Sequence, residues 1–156
     1  YMEKLDSLNQ VAKFHRLFNH PILDTPTIPD EKRCALRVEL LSEELKELSE
    51  AIENKDIVEI SDALCDIQYV LAGAVLEFGM GEKFVQLFNE VQRSNMSKVC
   101  ATVQEAEETA EYYKNKKGMD CFYEERDGKY LVYRSDRKTL KSINYSPADL
   151  KSILEK

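Results

Sequence analysis

Along most of the first 116 residues, apolar positions recur at intervals of three and four, the repeat of helices with one buried face. A first helix is expected over about 2–19, carrying Leu5, Leu8, Val11, Ala12, Phe14 and Phe18 at that spacing. Three prolines between Pro21 and Pro29 then force an extended loop, because each lacks an N–H and restricts the residue before it. Asp30 is the expected cap of a second helix that runs to about Asn54. After a very short break a third helix runs to Gly79 or Gly81, a fourth covers about 82–95, and a fifth covers about 102–116 and stops at Gly118.

The pattern then changes. CFYEERDGKYLVYR has aromatic and β-branched residues on both sides of Asp127-Gly128, a dipeptide suited to a hairpin turn with positive φ. In SPADLKSILE, Ser146 reads as a cap and Pro147 as the first residue of a short terminal helix. The expected fold is mainly α: an antiparallel helical bundle over residues 2–118, with a hairpin-helix extension over 119–156 packed on it. Five glycines and four prolines among 156 residues are too few for a many-turned β fold.

Two helices break the ordinary amphipathic pattern. On the second, Val38, Leu41, Leu45, Leu48 and Ile52 form an apolar arc that Leu40 and Ala51 extend. Glu44 falls inside that arc, Glu47 at its margin and Glu43 further round. The third helix, containing EISDALCDIQYV, is apolar in nearly every direction and should be buried. Yet Glu59, Asp62 and Asp66 fall together in one stripe. Two helices joined by so short a break pack antiparallel, so their carboxylates can converge.

Buried anions need a cation between them. An all-oxygen donor set points to a hard ion, Mg²⁺ or alternatively Mn²⁺. Mg²⁺ commonly bridges to phosphates, so a polyphosphate substrate follows, with metal-assisted attack by water on phosphorus. The opposing reading is that many of the 29 acids simply lie on solvated faces.

Charge and composition narrow the field. A net charge of −7 argues against a nucleic-acid polymer as partner, since a phosphate backbone needs a basic stripe. No apolar run approaches the roughly 18–20 residues of a membrane span, so no membrane association is expected. Cys34, Cys65, Cys100 and Cys121 are far apart and form no CxxC, which suggests reduced thiols and a cytoplasmic protein. His15, beside Phe14 and Phe18, reads as a packed histidine and His20, before Pro21, as a loop residue. No Glu-x-x-His accompanies them, which argues against a di-iron bundle.

EELKE (Glu43–Glu47) followed by EISD (Glu59–Asp62) resembles the ExxE…ExxD signature of the all-α NTP pyrophosphohydrolases. This is the MazG-like superfamily, which includes dimeric dUTPases. FHRLF, DALCDIQYVLAGAVLEFG and RSNMSK (Arg93–Lys98) resemble one bacterial branch of it, so the likeness covers about residues 10–100. The resemblance implies a helical enzyme that cleaves a nucleoside triphosphate between the α and β phosphates. It implies Glu44, Glu47, Glu59 and Asp62 as Mg²⁺ ligands, with Asp66 as metal support and Glu43 as the base that orients or deprotonates water. Asn95 and Lys98 would contact substrate; Arg37 and Arg93 are weaker candidates for the same role, since arginines on helical surfaces usually do nothing specific. Eleven residues between Glu47 and Glu59 lie at the short end of the family's spacing, which leaves the register of Glu43 against Glu44 open.

The substrate expected is a deoxynucleoside triphosphate, dUTP-like or non-canonical. Phosphoribosyl-ATP is an alternative, and so is a non-catalytic helical module that docks a basic partner in its acidic cleft. The apolar faces exceed what one helical layer can cover, so a homodimer or higher homo-oligomer is expected. The hairpin reads as a stabilising flap.

Overall fold

A computed structural model describes residues 1–156. The chain is mainly helical, with six helices and a small three-stranded antiparallel sheet. Its contacts group it into two compact units, Tyr1–Phe84 and Val85–Lys156, so the fourth and fifth helices group with the hairpin. No helix is long and apolar enough to cross a membrane.

The first unit holds α1 (Ser7–Leu17), α2 (Glu31–Glu53) and α3 (Ile57–Glu77). The first helix begins five residues later than its apolar spacing predicts. The Asp6 side chain accepts from the Asn9 N–H at 3.3 Å and caps α1 there, leaving Leu5 outside and exposed. Val11 and Ala12 pack on Ala72 and Leu76 of α3, with Leu8 and Ile22 against them. The proline-rich loop runs beside the end of α3, where the N–H groups of Leu23 and Thr27 donate to the carbonyls of Leu76 and Phe78 at 3.1 and 2.9 Å. Carbonyls that a helix end leaves unpaired are thereby satisfied. Gly79 makes the approach possible. Its φ is +71°, and a Cβ there would lie 1.8 Å from the Thr25 carbonyl oxygen.

Helices α2 and α3 form a tight antiparallel hairpin. Asp30 caps α2 by accepting from the Arg33 N–H at 2.9 Å, as predicted. Asn54 ends it, Lys55 turns with φ 54°, and Asp56 accepts from the Val58 and Glu59 N–H groups at 3.1 Å to start α3. Buried Ala51 and Ala63 allow close approach near the turn. One side of this hairpin carries acids. Another carries apolar residues at heptad spacing: Val38, Leu41, Leu45, Leu48 and Ile52 on α2, and Ile57, Ile60, Leu64, Ile67 and Leu71 on α3. Val38, Leu45 and Ile52 are 65%, 61% and 56% exposed.

The second unit holds α4 (Phe84–Met96, from its second residue), α5 (Val103–Lys117), β1 (Cys121–Arg126), β2 (Lys129–Arg134), β3 (Thr139–Leu140) and α6 (Leu150–Leu154). Thr102 caps α5, and Gly118 closes it in the left-handed conformation. The hairpin turns at Asp127 and Gly128, with φ 51° and 76°, and β1 pairs with β2 from Cys121↔Arg134 to Arg126↔Lys129. β3 escaped the sequence reading because two residues carry no alternation; it pairs Leu140 with Val132. Cys100, Ala106, Val132 and Leu140 form the core. The terminal helix starts later than expected. Asp149, not Ser146, caps it: the Asp149 side chain accepts from the Ser152 N–H at 3.2 Å, while Ser146 donates its N–H to Ser97 Oγ at 2.9 Å just past the end of α4. All four cysteines are free.

Candidate metal centre

The turn at Asn54–Asp56 sets which acids of the hairpin meet. Glu44 comes level with Asp66, and one carboxylate oxygen from each of Glu44, Glu47 and Asp66 lies within 4.8 Å of the others. Glu59 and Asp62 do not join that trio. They lie nearer the turn and line an adjoining cleft of about 400 Å³ with Glu47, Glu50, Asn54 and Asp56. In the register set by this turn, Asp66, one turn beyond Asp62, is the acid of α3 that faces Glu44. Glu43 is exposed, one residue before Glu44 on α2.

The trio is electrostatically incomplete. Glu44 Oε2 is shielded from solvent and has no hydrogen-bond partner. Its burial, then the charges of Glu47 and Asp66, push the Glu44 carboxyl above the usual carboxylate range. Burial, Asp62 and Glu47 push Asp66 in the same direction. A shared proton or a cation relieves such a group. The donors are all oxygens, two of the three are half-buried, and one has an orphaned lone pair. That set fits a hard divalent ion.

Near the other end of the hairpin lies a charged cluster that the sequence reading missed. Glu77 is 1% exposed. It accepts from Arg33 Nε and Nη2 at 2.6 and 2.8 Å and from Arg37 Nε at 2.7 Å. The two arginines hold the Glu77 carboxyl below its ordinary range against the opposing effect of burial. An acid at the end of the apolar run VLAGAVLE was the available signal. Arg37, named as a substrate candidate, is itself buried, with its guanidinium engaged by Glu77. His15 is buried as expected, its Nδ1 3.0 Å from the Pro21 carbonyl oxygen, and His20 lies exposed in the loop beside it.

The remaining candidates belong to the second unit. Arg93 donates to Glu90 at 2.7 and 2.9 Å and to the Pro147 carbonyl at 3.2 Å, holding the C-terminal segment on α4. Ser94 and Ser97 of the same RSNMSK stretch bond Tyr145 and Ser146. Asn95 is exposed and Lys98 half-buried.

A family model described as phosphoribosyl-ATP pyrophosphohydrolase matches residues 11–95, more than half of the chain and all of the α2–α3 hairpin. The chain belongs to this family. The family is part of the all-α NTP pyrophosphohydrolase, or MazG-like, superfamily. An uncharacterized protein of Acanthamoeba polyphaga mimivirus is 24% identical to the chain, over 98% of the chain and 97% of its own length. Membership gives the coarse chemistry: hydrolysis of a pyrophosphate linkage in a nucleotide substrate. The acidic hairpin lies wholly inside the matched segment, and the β-sheet lies outside it.

Proposed function

We propose that the chain is a Mg²⁺-dependent nucleoside triphosphate pyrophosphohydrolase that releases a monophosphate and pyrophosphate. The observation that carries this reading is the convergence of Glu44, Glu47 and Asp66 around an orphaned, buried Glu44 oxygen. These three residues would hold the ion, with Glu59 and Asp62 lining the cleft beside them for a further ion or its waters. Mn²⁺ suits the same donors. When bound, the ion supplies charge neutralisation of the phosphates and a water of lowered pKa.

The chain's own residues do the rest. Glu43 is free to accept a proton from the attacking water, because it is exposed and lies outside the trio. Asn95 and Lys98 are the proposed substrate contacts, a cation there offsetting phosphate charge. A deoxynucleoside triphosphate, dUTP-like or non-canonical, is the proposed substrate. Phosphoribosyl-ATP is the second reading, favoured by the description of the matching family. Both present the same α–β phosphoanhydride.

The proposed working form is a homodimer or a higher oligomer. A second copy across a twofold axis would cover the heptad stripes of α2 and α3, whose Val38, Leu45, Ile52, Ile57, Leu64 and Leu71 a monomer leaves exposed. The free cysteines suit the reducing cytoplasm proposed as its location.

The experiment is a panel of canonical and modified triphosphates and phosphoribosyl-ATP, assayed for pyrophosphate with and without Mg²⁺. Turnover is expected to need Mg²⁺ and to fall by orders of magnitude in Glu44→Gln and in Asp62→Asn, with folding retained. Undiminished turnover in Glu44→Gln defeats the site. A non-catalytic docking module instead predicts no turnover and no thermal stabilisation by Mg²⁺ with nucleotide.

A further inference from the structure

The Arg33–Glu77–Arg37 cluster and the acidic trio stand in a fixed geometric relation. On α2, Glu44 follows Arg33 by eleven residues; on α3, Glu77 follows Asp66 by the same eleven. Eleven residues make about three turns, so each pair lies on one line of its helix to within about 20°. The two helices run antiparallel and Arg33 is bonded to Glu77. Whatever fixes Arg33 against Glu77 therefore fixes Glu44 against Asp66, about 16 Å away along the axes.

The cluster is built for that task. Arg33 and Arg37 lie one turn apart on one face of α2, and both engage the same carboxylate. Two donors on one acceptor set the rotation of α2 about its axis as well as its axial position. Gly73 lets the Arg37 guanidinium lie against α3: a Cβ there would be 2.8 Å from Arg37 Nη1 and 3.1 Å from His15 Nε2. Apolar packing between α2 and α3 is non-directional and tolerates sliding and rotation, whereas a buried carboxylate displaced from two arginines loses its only compensation. The turn at Asn54–Asp56 fixes one end of the hairpin, and the cluster fixes the other.

We propose that Arg33, Arg37 and Glu77 are positioning residues that hold α2 and α3 in the register at which Glu44, Glu47 and Asp66 can share one divalent ion. This rests on the metal-centre reading above. A salt cluster that only stabilises the fold would not tune metal affinity independently of melting temperature.

The test is titration of metal-free protein with Mn²⁺, free Mn²⁺ being followed by electron paramagnetic resonance, without nucleotide. Arg33→Gln and Arg37→Lys are compared with wild type, with Asp66→Asn, and with Val132→Ala, which opens the core of the second unit. The arginine variants are expected to weaken Mn²⁺ binding about tenfold, the effect typical of residues that orient metal ligands. Raising Mn²⁺ should recover much of their turnover. Val132→Ala should lower the melting temperature and leave binding unchanged.

The sign decides the matter for Arg33→Gln. Removing a distant positive charge favours cation binding by Coulomb's law, so only displacement of the ligands accounts for weaker binding. Wild-type or tighter Mn²⁺ affinity in Arg33→Gln overturns the proposal while leaving the metal centre intact. A wild-type protein with no Mn²⁺ site that Asp66→Asn removes overturns the centre, and the positioning role with it. If Arg37→Lys fails to fold, Arg33→Gln carries the test, since Arg33 is a third exposed.

Discussion

Glu44→Gln offers the clearest energetic test of the acidic trio. The substitution keeps size and shape and removes one charge. In the native protein Glu44 Oε2 is out of water and unbonded, beside the carboxylates of Glu47 and Asp66. An unsatisfied buried acceptor costs about 1–3 kcal/mol. A glutamine amide can donate to either neighbour and turns repulsion into a hydrogen bond. In EDTA the variant should therefore be more stable than wild type by about 1 kcal/mol, a rise of about 2–4 °C in a chain of this size.

Adding Mg²⁺ should reverse the order. A ligand at a hundred times its dissociation constant stabilises the native state by about 2.7 kcal/mol, and the variant has lost an anionic ligand. Differential scanning fluorimetry in EDTA, then in Mg²⁺ with a non-hydrolysable α,β-imido triphosphate, reads both terms. The folded Glu44 carboxyl has a raised pKa, so the native state binds more protons than the unfolded one across that window. Its penalty is full at high pH and fades as pH falls toward the unfolded value. The gap in EDTA should accordingly narrow on acidification. A variant that melts below wild type in EDTA, or that gains equally from Mg²⁺, refutes the reasoning.

Four further outcomes are expected. Glu43→Gln should lose turnover at least a hundredfold, on the usual scale of general-base removal, while nucleotide binding by calorimetry persists; lost binding would make Glu43 a ligand. Leu45→Glu, in the centre of the exposed α2 stripe, should shift sedimentation toward a monomer, and an unchanged oligomer would place the interface elsewhere. The His15 pKa is lowered mainly by burial, so the unfolded chain takes up a proton that the native protein resists. Stability should fall as pH drops through about 6.5, and His15→Gln should flatten that slope in urea melts; an identical slope counts against it. Gly79→Ala should cost more than about 1 kcal/mol in the same melts, because its φ is positive and the new methyl meets the Thr25 carbonyl.

Much of the fold was legible because its signals are local. Asp30 and Gly118 sit at helix ends where capping chemistry alone predicts them, and Asp127-Gly128 makes the turn its dipeptide favours. The errors came where a side chain had competing partners. Asp6 cut short a helix whose apolar spacing continued outward, and Asp149 took the cap of α6 that the pattern gave to Ser146. Within the acidic stripe, a wheel gives direction but no axial register. Glu59, Asp62 and Asp66 share a face, and the register of α2 against α3 decides which of them reaches Glu44. The Glu77 cluster was hidden for a similar reason: Arg33 and Glu77 are 44 residues apart, and each looks ordinary alone.

Metal binding by Asp66→Asn tests the central claim most directly, because Asp66 distinguishes this trio from the set that the ExxE…ExxD spacing alone implies. Isothermal titration of metal-free protein with Mn²⁺, paired with pyrophosphate release under Mg²⁺, should show at least a tenfold weaker site and a matching loss of turnover. Wild-type affinity and full turnover in Asp66→Asn, with both lost in Glu59→Gln, would contradict it and return the ion to the cleft nearer the turn.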